Sequence, residues 1–398
     1  MRVLYCTDTY PPQVNGVSIV TALSVAGLTR LGWECAVVAP QYAEPASTAA
    51  LEVLGVPSAP LPRYPEIRIA LPSVSRVLEL VRRFQPDLVH CETEFGIGRA
   101  GQLAAARAGL PTVSSYHTDF AQYAEAYGAR WLRALVSGYL GRFHARSRRV
   151  YTPSSASRLT LLSLRPRLDV EVWGRGVDTE LFHPGRRSPE LRAAFGMGSR
   201  YTFLYVGRLA PEKRVEQVVD AFRLASEMLP RGVIHLVLAG TGPREAELRK
   251  AAPAGVTFLG VLDRLARLPD LYANCDAFVF ASVTETLGLV VLEAMASGLP
   301  VVAVPAGGVA DHLRHGENGL GCPEGNVKAM AHAMVALAGD YALSRRLARG
   351  ARRTAERLSW DREMERLDES YREVCEVSAQ ASGNQQVTAV PRPSSLSA

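Results

Sequence analysis

Two glutamates eight residues apart could do chemistry together: Glu285, in the stretch VTET, and Glu293, inside the apolar run LVVLEAMA. That run reads as a helix pressed into a core. A carboxylate buried there without partners costs on the order of 2–7 kcal/mol, so Glu293 must hold something. A ribose 2′,3′-diol would offer it two hydroxyl donors. The helix begins near 287–289, where the free N–H groups around Gly288 and Leu289 make a phosphate site and glycine permits close approach. Glu285, ahead of the helix, would reach whatever lies beyond the phosphates. Two carboxylates beside a diphosphate require cations opposite.

Those cations stand in VGRLAPEKR (206–214), directly after a strand-like run. Arg208 supplies a planar fork and Lys213 a compact charge, a pair suited to a diphosphate leaving group. Lys213 is one of only three lysines, with Lys250 and Lys328. In the first half, DTYPPQVNGVS (8–18) carries Gly16 near a helix start, and His117 ends the strand-like PTVSSYH. A histidine there could hydrogen-bond a substrate or simply be structural. GTGPREAE (240–247) has two of the glycines of a dinucleotide loop but not the full G-x-G-x-x-G fingerprint, so an NAD dehydrogenase is disfavoured. The DTE of 178–180 mimics a metal-binding D-x-D but falls in a linker rather than after a strand.

The elements that must position these residues alternate strand with helix, the pattern of doubly wound α/β sheets. Strands are predicted at 3–8, 34–40, 87–92, 111–117, 148–154 and 168–174, then again at 202–208, 234–240, 256–260, 277–282 and 299–304. Helices are predicted at 17–31, stopped by Gly32, and at 74–84, stopped before Pro86. The turn-rich GVDTELFHPGRRSP (176–189) separates two domains, 1–184 and 185–357. A helix over 358–375 could pack back on the first domain. The polar, Pro/Ser-rich 376–398 reads as a disordered tail. Two facing α/β domains leave a cleft at the C-terminal ends of their strands, where ligands bind.

Composition narrows the class. The chain has 398 residues, 47% hydrophobic and 21% charged, with net charge +6 carried almost wholly by arginine. That balance suits anionic partners or reflects an arginine-rich coding bias. No apolar run approaches the roughly 18 residues of a membrane span. The opening MRVLYCTD reads as a strand rather than a signal peptide. The six scattered cysteines form no C-x-x-C pair, so reduced packing thiols in a cytoplasmic protein are expected. Basic-aromatic interleaving of the kind that stacks bases is confined to 130–149, so no nucleic-acid partner is expected. That segment reads either as a basic amphipathic helix on an anionic membrane or as a sheet-packed helix with its arginines in water.

E-x7-E followed by AMASGLPVV, the VGRLAPEK loop, AGTGP, NGVS, YHTDF and GRGVDTELFHP together resemble the retaining glycosyltransferases of the GT4 family, over residues 1 to about 375. YHTDF and VWGRGVDTELFHPGRRS look most like the branch of bacterial GDP-mannose-dependent α-mannosyltransferases acting on glycolipids. That branch also resembles the sulfoquinovosyl-diacylglycerol synthases, which use a UDP-sugar. The resemblance implies a GT-B fold with an acceptor-side first domain and a donor-binding second domain. It implies that Glu285 binds the transferred sugar, Glu293 the ribose, and Arg208 and Lys213 the diphosphate, helped by Gly288 and Leu289. Gly16 would admit the donor phosphate to the first domain, and His117 would contact the sugar near its anomeric carbon. The base would be read by backbone near Gly260 and Val261. No metal or cofactor is then needed. The partners the resemblance implies are a nucleotide-diphosphate sugar and a lipid or glycan acceptor; the net positive charge adds an anionic membrane surface as an expected contact, for a cytoplasmic protein attached peripherally to the inner face of the cell membrane. A UDP-sugar-dependent glycolipid glycosyltransferase, a sugar-nucleotide epimerase of the same fold and a non-catalytic binding protein are the competing readings.

Overall fold

In this computed structural model, residues 1–13, 15–43, 47–61, 64–117, 131, 133–173 and 176–387 are described. The chain opens with strands β1 (Arg2–Cys6), β2 (Glu34–Pro40) and β3 (Glu52–Val56), then an antiparallel hairpin of β4 (Ser58–Leu61) and β5 (Tyr64–Ala70). Strands β6 (Leu88–Cys91), β7 (Thr112–Ser115), β8 (Arg149–Thr152) and β9 (Val170–Val172) follow. Apart from the hairpin, these form one parallel sheet in the order β3-β2-β1-β6-β7-β8-β9. A second parallel sheet is built from β10 (Tyr201–Val206), β11 (Ile234–Ala239), β12 (Val256–Gly260), β13 (Ala277–Phe280), β14 (Val301–Ala303) and β15 (Gly319–Gly321). Its order is β12-β11-β10-β13-β14-β15.

The near-continuous apolar strands explain this arrangement. Every residue of β11, IHLVLA, is buried, as expected where helices cover both faces of a parallel sheet. In each sheet the first strand lies centrally. The chain winds outward on one side, then returns to the other: β1 is flanked by β2 and β6, and β10 by β11 and β13. The loops after the two central neighbours part in opposite directions there, leaving the crevice in which such sheets bind ligands.

The helix boundaries follow local chemistry. Helix Gly16–Arg30 starts where the Asn15 side chain accepts the Ser18 amide, an N-cap that satisfies an orphan donor. Helix Val74–Phe84 starts at Ser73 and ends at a left-handed Gln85, ahead of Pro86.

The last helix, Trp360–Val387, departs from the expected end near residue 375. Trp360, Met364, Leu367, Tyr371 and Val374 recur at alternating four- and three-residue steps, one face of a helix. That face is buried against Val3, Tyr5, Val25, Leu28 and Trp33 of the first domain. Trp33 Nε1 donates to Asp368 and Trp173 Nε1 to the Glu363 carbonyl, each at 2.7 Å. The crossover between domains also comes earlier than residue 184. Val177 and Phe182 already belong to the core of the second sheet, because their apolar side chains pack there although the surrounding segment has no periodicity. All six cysteines are free thiols. Among the described residues, no helix is long and apolar enough to cross a membrane.

Candidate active site

The second sheet brings together the residues that are 72 positions apart in the chain. Lys213 and Glu285 sit in the loops after β10 and β13, neighbouring strands at the switch point, and Lys213 Nζ donates to Glu285 Oε1 at 2.5 Å. Arg208, in the same loop as Lys213, donates from Nη2 to Glu212 Oε1 at 2.6 Å. Glu212 is buried. Burial pushes its carboxyl up, but Arg208, the surrounding backbone and Lys213 outweigh that and hold it below the usual range. Sequence reasoning missed Glu212, although it stands beside Lys213 in the quoted PEKR.

Two backbone contacts stiffen these loops. Gly242 of AGTGP packs where a Cβ would lie 2.4 Å from the Leu209 carbonyl, while the Leu209 amide donates to Thr241 O and the Arg244 amide to Leu209 O. The AGTGP motif is thus a buttress for the Arg208–Lys213 loop. On the other side, Gly307 has φ 54° and a Cβ there would lie 2.2 Å from the Glu285 carbonyl, which accepts the Gly308 amide. Only glycine combines that backbone with that approach. PAGGVA (305–310) was not singled out from sequence, yet its glycine pair is a readable signal.

Helix Leu289–Ala296 follows Gly288, which has φ 74° and serves as its N-cap. Glu293 is 2% exposed, and it is already paired. Arg264 donates from Nε and Nη2 to Glu293 Oε1 at 3.1 and 2.7 Å, and the Tyr272 hydroxyl donates to Oε2 at 3.2 Å. Contrary to the expectation from sequence, Glu293 does not need a nucleotide to satisfy its charge: Arg264 and Tyr272 do so within the protein. Burial still outweighs both partners and raises the carboxyl above its usual range. Arg264 lies 29 residues away in a loop of no recognisable motif, so nothing in the sequence paired it with Glu293.

On the first domain, His117 follows β7 and its Nε2 contacts Glu92 Oε1 at 2.7 Å. Thr286, next to Glu285, donates its hydroxyl to the His117 carbonyl at 2.5 Å. The cleft thus joins His117 to the Glu285–Lys213 pair. A second bridge between the domains runs from the Ser155 amide to Asp311 Oδ2 at 2.7 Å. Gly16 is the first residue of its helix, and among the described residues, its chain neighbours and its own helix backbone aside, no atom lies within 4 Å of where its Cβ would be. Gly260 ends β12 with its backbone bonded to Gly240, and Val261 beyond it is exposed. Asp178 of the DTE fragment is used locally, accepting the amides of Glu180 and Leu181. Asp119, within YHTDF, lies outside the described residues. Among the described residues, no cluster of three or more His, Cys, Asp or Glu could hold a metal.

Comparison with known proteins shows the family. Residues 14–181 match the family described as Glycosyltransferase Family 4, and residues 200–340 match Glycosyl transferases group 1. A GDP-mannose-dependent alpha-mannosyltransferase of Mycobacterium tuberculosis is 34% identical over 90% of this chain and 93% of its own. The chain belongs to glycosyltransferase family 4. It is an enzyme of the transferase class.

Another GDP-mannose-dependent alpha-mannosyltransferase, from Mycolicibacterium smegmatis, is 34% identical over 80% of this chain and 84% of its own. An alpha-monoglucosyldiacylglycerol synthase of Streptococcus pneumoniae is 28% identical over 76% and 71%. The crystal structure of Anabaena Alr3699/HepE in complex with UDP-glucose superimposes with a TM-score of 0.73 at 22% identity, covering 94% of this chain and all of that one, 100%. The fold of this glycosyltransferase is GT-B, with two Rossmann-like domains facing a cleft.

Proposed function

We propose that this glycosyltransferase moves mannose from GDP-mannose to a glycolipid or glycan hydroxyl with retention of anomeric configuration. The observation that carries the chemistry is the Lys213–Glu285 pair, whose neighbour Thr286 bonds the backbone carbonyl of His117 across the cleft. The donor assignment comes from the GDP-mannose-dependent relatives at 34% identity.

Lys213 and Arg208 supply positive charge where the diphosphate leaves, and fixed charge at the site of developing charge is the strongest catalytic device. Glu285, acceptor-only when ionised, orients the sugar hydroxyls. Glu293 meets the ribose, Gly288 and Leu289 offer amides to the phosphates, and Gly16 admits them from the first domain. The acceptor oxygen attacks the anomeric carbon on the face that the phosphate oxygen leaves. The carbon–phosphate-oxygen bond breaks as the new glycosidic bond forms, and the departing diphosphate takes the acceptor's proton. Two cationic side chains make a divalent metal unnecessary for this step. Trp131 and Leu135, 80% and 66% exposed beside Arg133, would rest on an anionic membrane face that carries the acceptor.

The test is transfer from GDP-mannose into an extracted glycolipid acceptor, with the product anomer read by NMR. The α anomer, formed equally well in EDTA, is expected. A β product, or transfer from UDP-glucose alone, overturns the reading. Mannosyl transfer abolished by EDTA overturns its metal-free part.

A further inference from the structure

Behind His117 lies a buried polar chain that no step of the proposed reaction uses. It starts on the last helix. Tyr371 is buried, and its hydroxyl meets Tyr5 at 2.9 Å and His90 Nδ1 on its other side. His90 Nε2 reaches Ser115 Oγ at 2.7 Å and Glu92 Oε2 at 2.9 Å. Ser115 donates to the same carboxylate oxygen at 3.1 Å. Glu92 Oε1 then takes the Nε2–H of His117, whose side chain is 14% exposed.

We propose that Glu92 is a positioning residue: it fixes the His117 ring through Nε2–H and so turns Nδ1 to the sugar of the bound donor, while Tyr371 and His90 fix Glu92.

Proton accounting supports one arrangement. If His90 carries its proton on Nε2, it donates to Glu92 and accepts at Nδ1 from Tyr371, which in turn accepts from Tyr5. Every polar atom in the chain is then satisfied with one negative charge, on Glu92. A carboxylate with no exposed surface costs several kcal/mol unless paired, and the only partner able to become cationic without disturbing that pattern is His117. Burial alone would raise Glu92, but the two histidines outweigh it and hold the carboxyl well below the usual range. Burial alone would lower His117, but Glu92 outweighs it and holds the imidazole above the ordinary histidine value. The groups facing His117 are Glu92 and Glu94 after β6, His90 behind Glu92, His144 against Glu94, and Thr286 beside the Lys213-paired Glu285 across the cleft. With Nε2 held by Glu92, Nδ1 is, among the described residues, the ring nitrogen left for a ligand.

The last helix returns from the second domain, so the chain also ties a helix that leaves the donor domain to the histidine that meets the donor. The inference rests on the proposed place of His117 in the donor site, and the two fail separately. If His117→Ala keeps full transfer activity, that place is wrong and the inference falls with it. The inference itself is tested by 15N NMR of the His117 imidazole in the full-length protein and in Glu92→Gln. The native ring is expected to titrate above the ordinary histidine value, and the variant to titrate at or below it. kcat should drop about 10- to 100-fold, as when the orienting partner of a functional histidine is lost, with nucleotide affinity unchanged. An unmoved titration and unmoved kcat overturn the inference. Should Glu92→Gln not fold, Tyr371→Phe removes only the far hydroxyl. A moved His117 Nε2 resonance with lowered kcat supports the chain, and an unmoved one overturns it.

Discussion

The Thr286 hydroxyl donates to the His117 carbonyl at 2.5 Å, across the cleft between two separate sheets. Thr286 is the residue after Glu285, and His117 is the residue bonded to Glu92. That contact therefore ties the backbone beside the carboxylate that would orient the sugar to the backbone of the histidine that would meet it. Bringing reacting groups to fixed geometry is where much of an enzyme's rate comes from.

Lys213 and Glu285, bonded to each other, should act as one functional unit. Lys213→Ala and Glu285→Gln should each lower kcat/KM by about 100- to 1000-fold, the cost of removing a group aimed at transition-state charge. The double variant should lose little more than either alone. Steady-state kinetics of nucleotide release checks this, with circular dichroism to show that the fold is kept.

Glu293 and Arg264 are coupled through stability. Arg264→Met leaves a buried carboxylate with only Tyr272, and breaking such a pair costs about 3–5 kcal/mol. Glu293→Gln keeps the shape and removes the charge, so it should cost less stability while weakening nucleotide binding. Urea unfolding and calorimetry on the two variants separate the effects.

Much of this was readable in the sequence. The alternation of apolar strands with helices announced two α/β domains, and the rule that ligands bind after strands pointed to Arg208, Lys213, Glu285 and His117. The pairing of Lys213 with Glu285 follows from β10 and β13 being neighbours, a topological fact that no local pattern carries. Arg264 was invisible because its partner is fixed by the tertiary approach of two loops. Glu92 was visible in principle: it directly follows the strand-like DLVHC, where a carboxylate without an apolar purpose should attract notice. The apolar face of the last helix was legible as Trp360, Met364, Leu367 and Tyr371, but where it stops was not. Its polar continuation to Val387 has no apolar period to mark an end.

The Glu92–His117 pair gives the fold a pH window. Glu92 is held below the ordinary carboxylate value of 4.5, so its stabilisation is fully present above 4.5 and lost as pH falls through the lowered value. His117 is held above the ordinary histidine value of 6.5, so its stabilisation is present below 6.5 and lost as pH rises through the raised value. Both edges describe one interaction, and Glu92→Gln should flatten both. Thermal unfolding midpoints across pH, in native and variant protein, check it.

The last helix should be a structural part of the first domain. Tyr371→Ala empties a fully buried site packed against Trp33 and Tyr151, and truncating a buried aromatic costs about 3–5 kcal/mol. The unfolding transition of the first domain should shift to lower urea, with that of the second domain little changed. Domain-specific hydrogen exchange would resolve the two.

The most direct test is calorimetric binding of GDP-mannose, UDP-glucose and UDP-glucuronate to the native protein and to Glu293→Gln. Tight binding of GDP-mannose alone, weakened by the substitution, is the expected result. Preference for a UDP-sugar, or GDP-mannose binding untouched by Glu293→Gln, would contradict it.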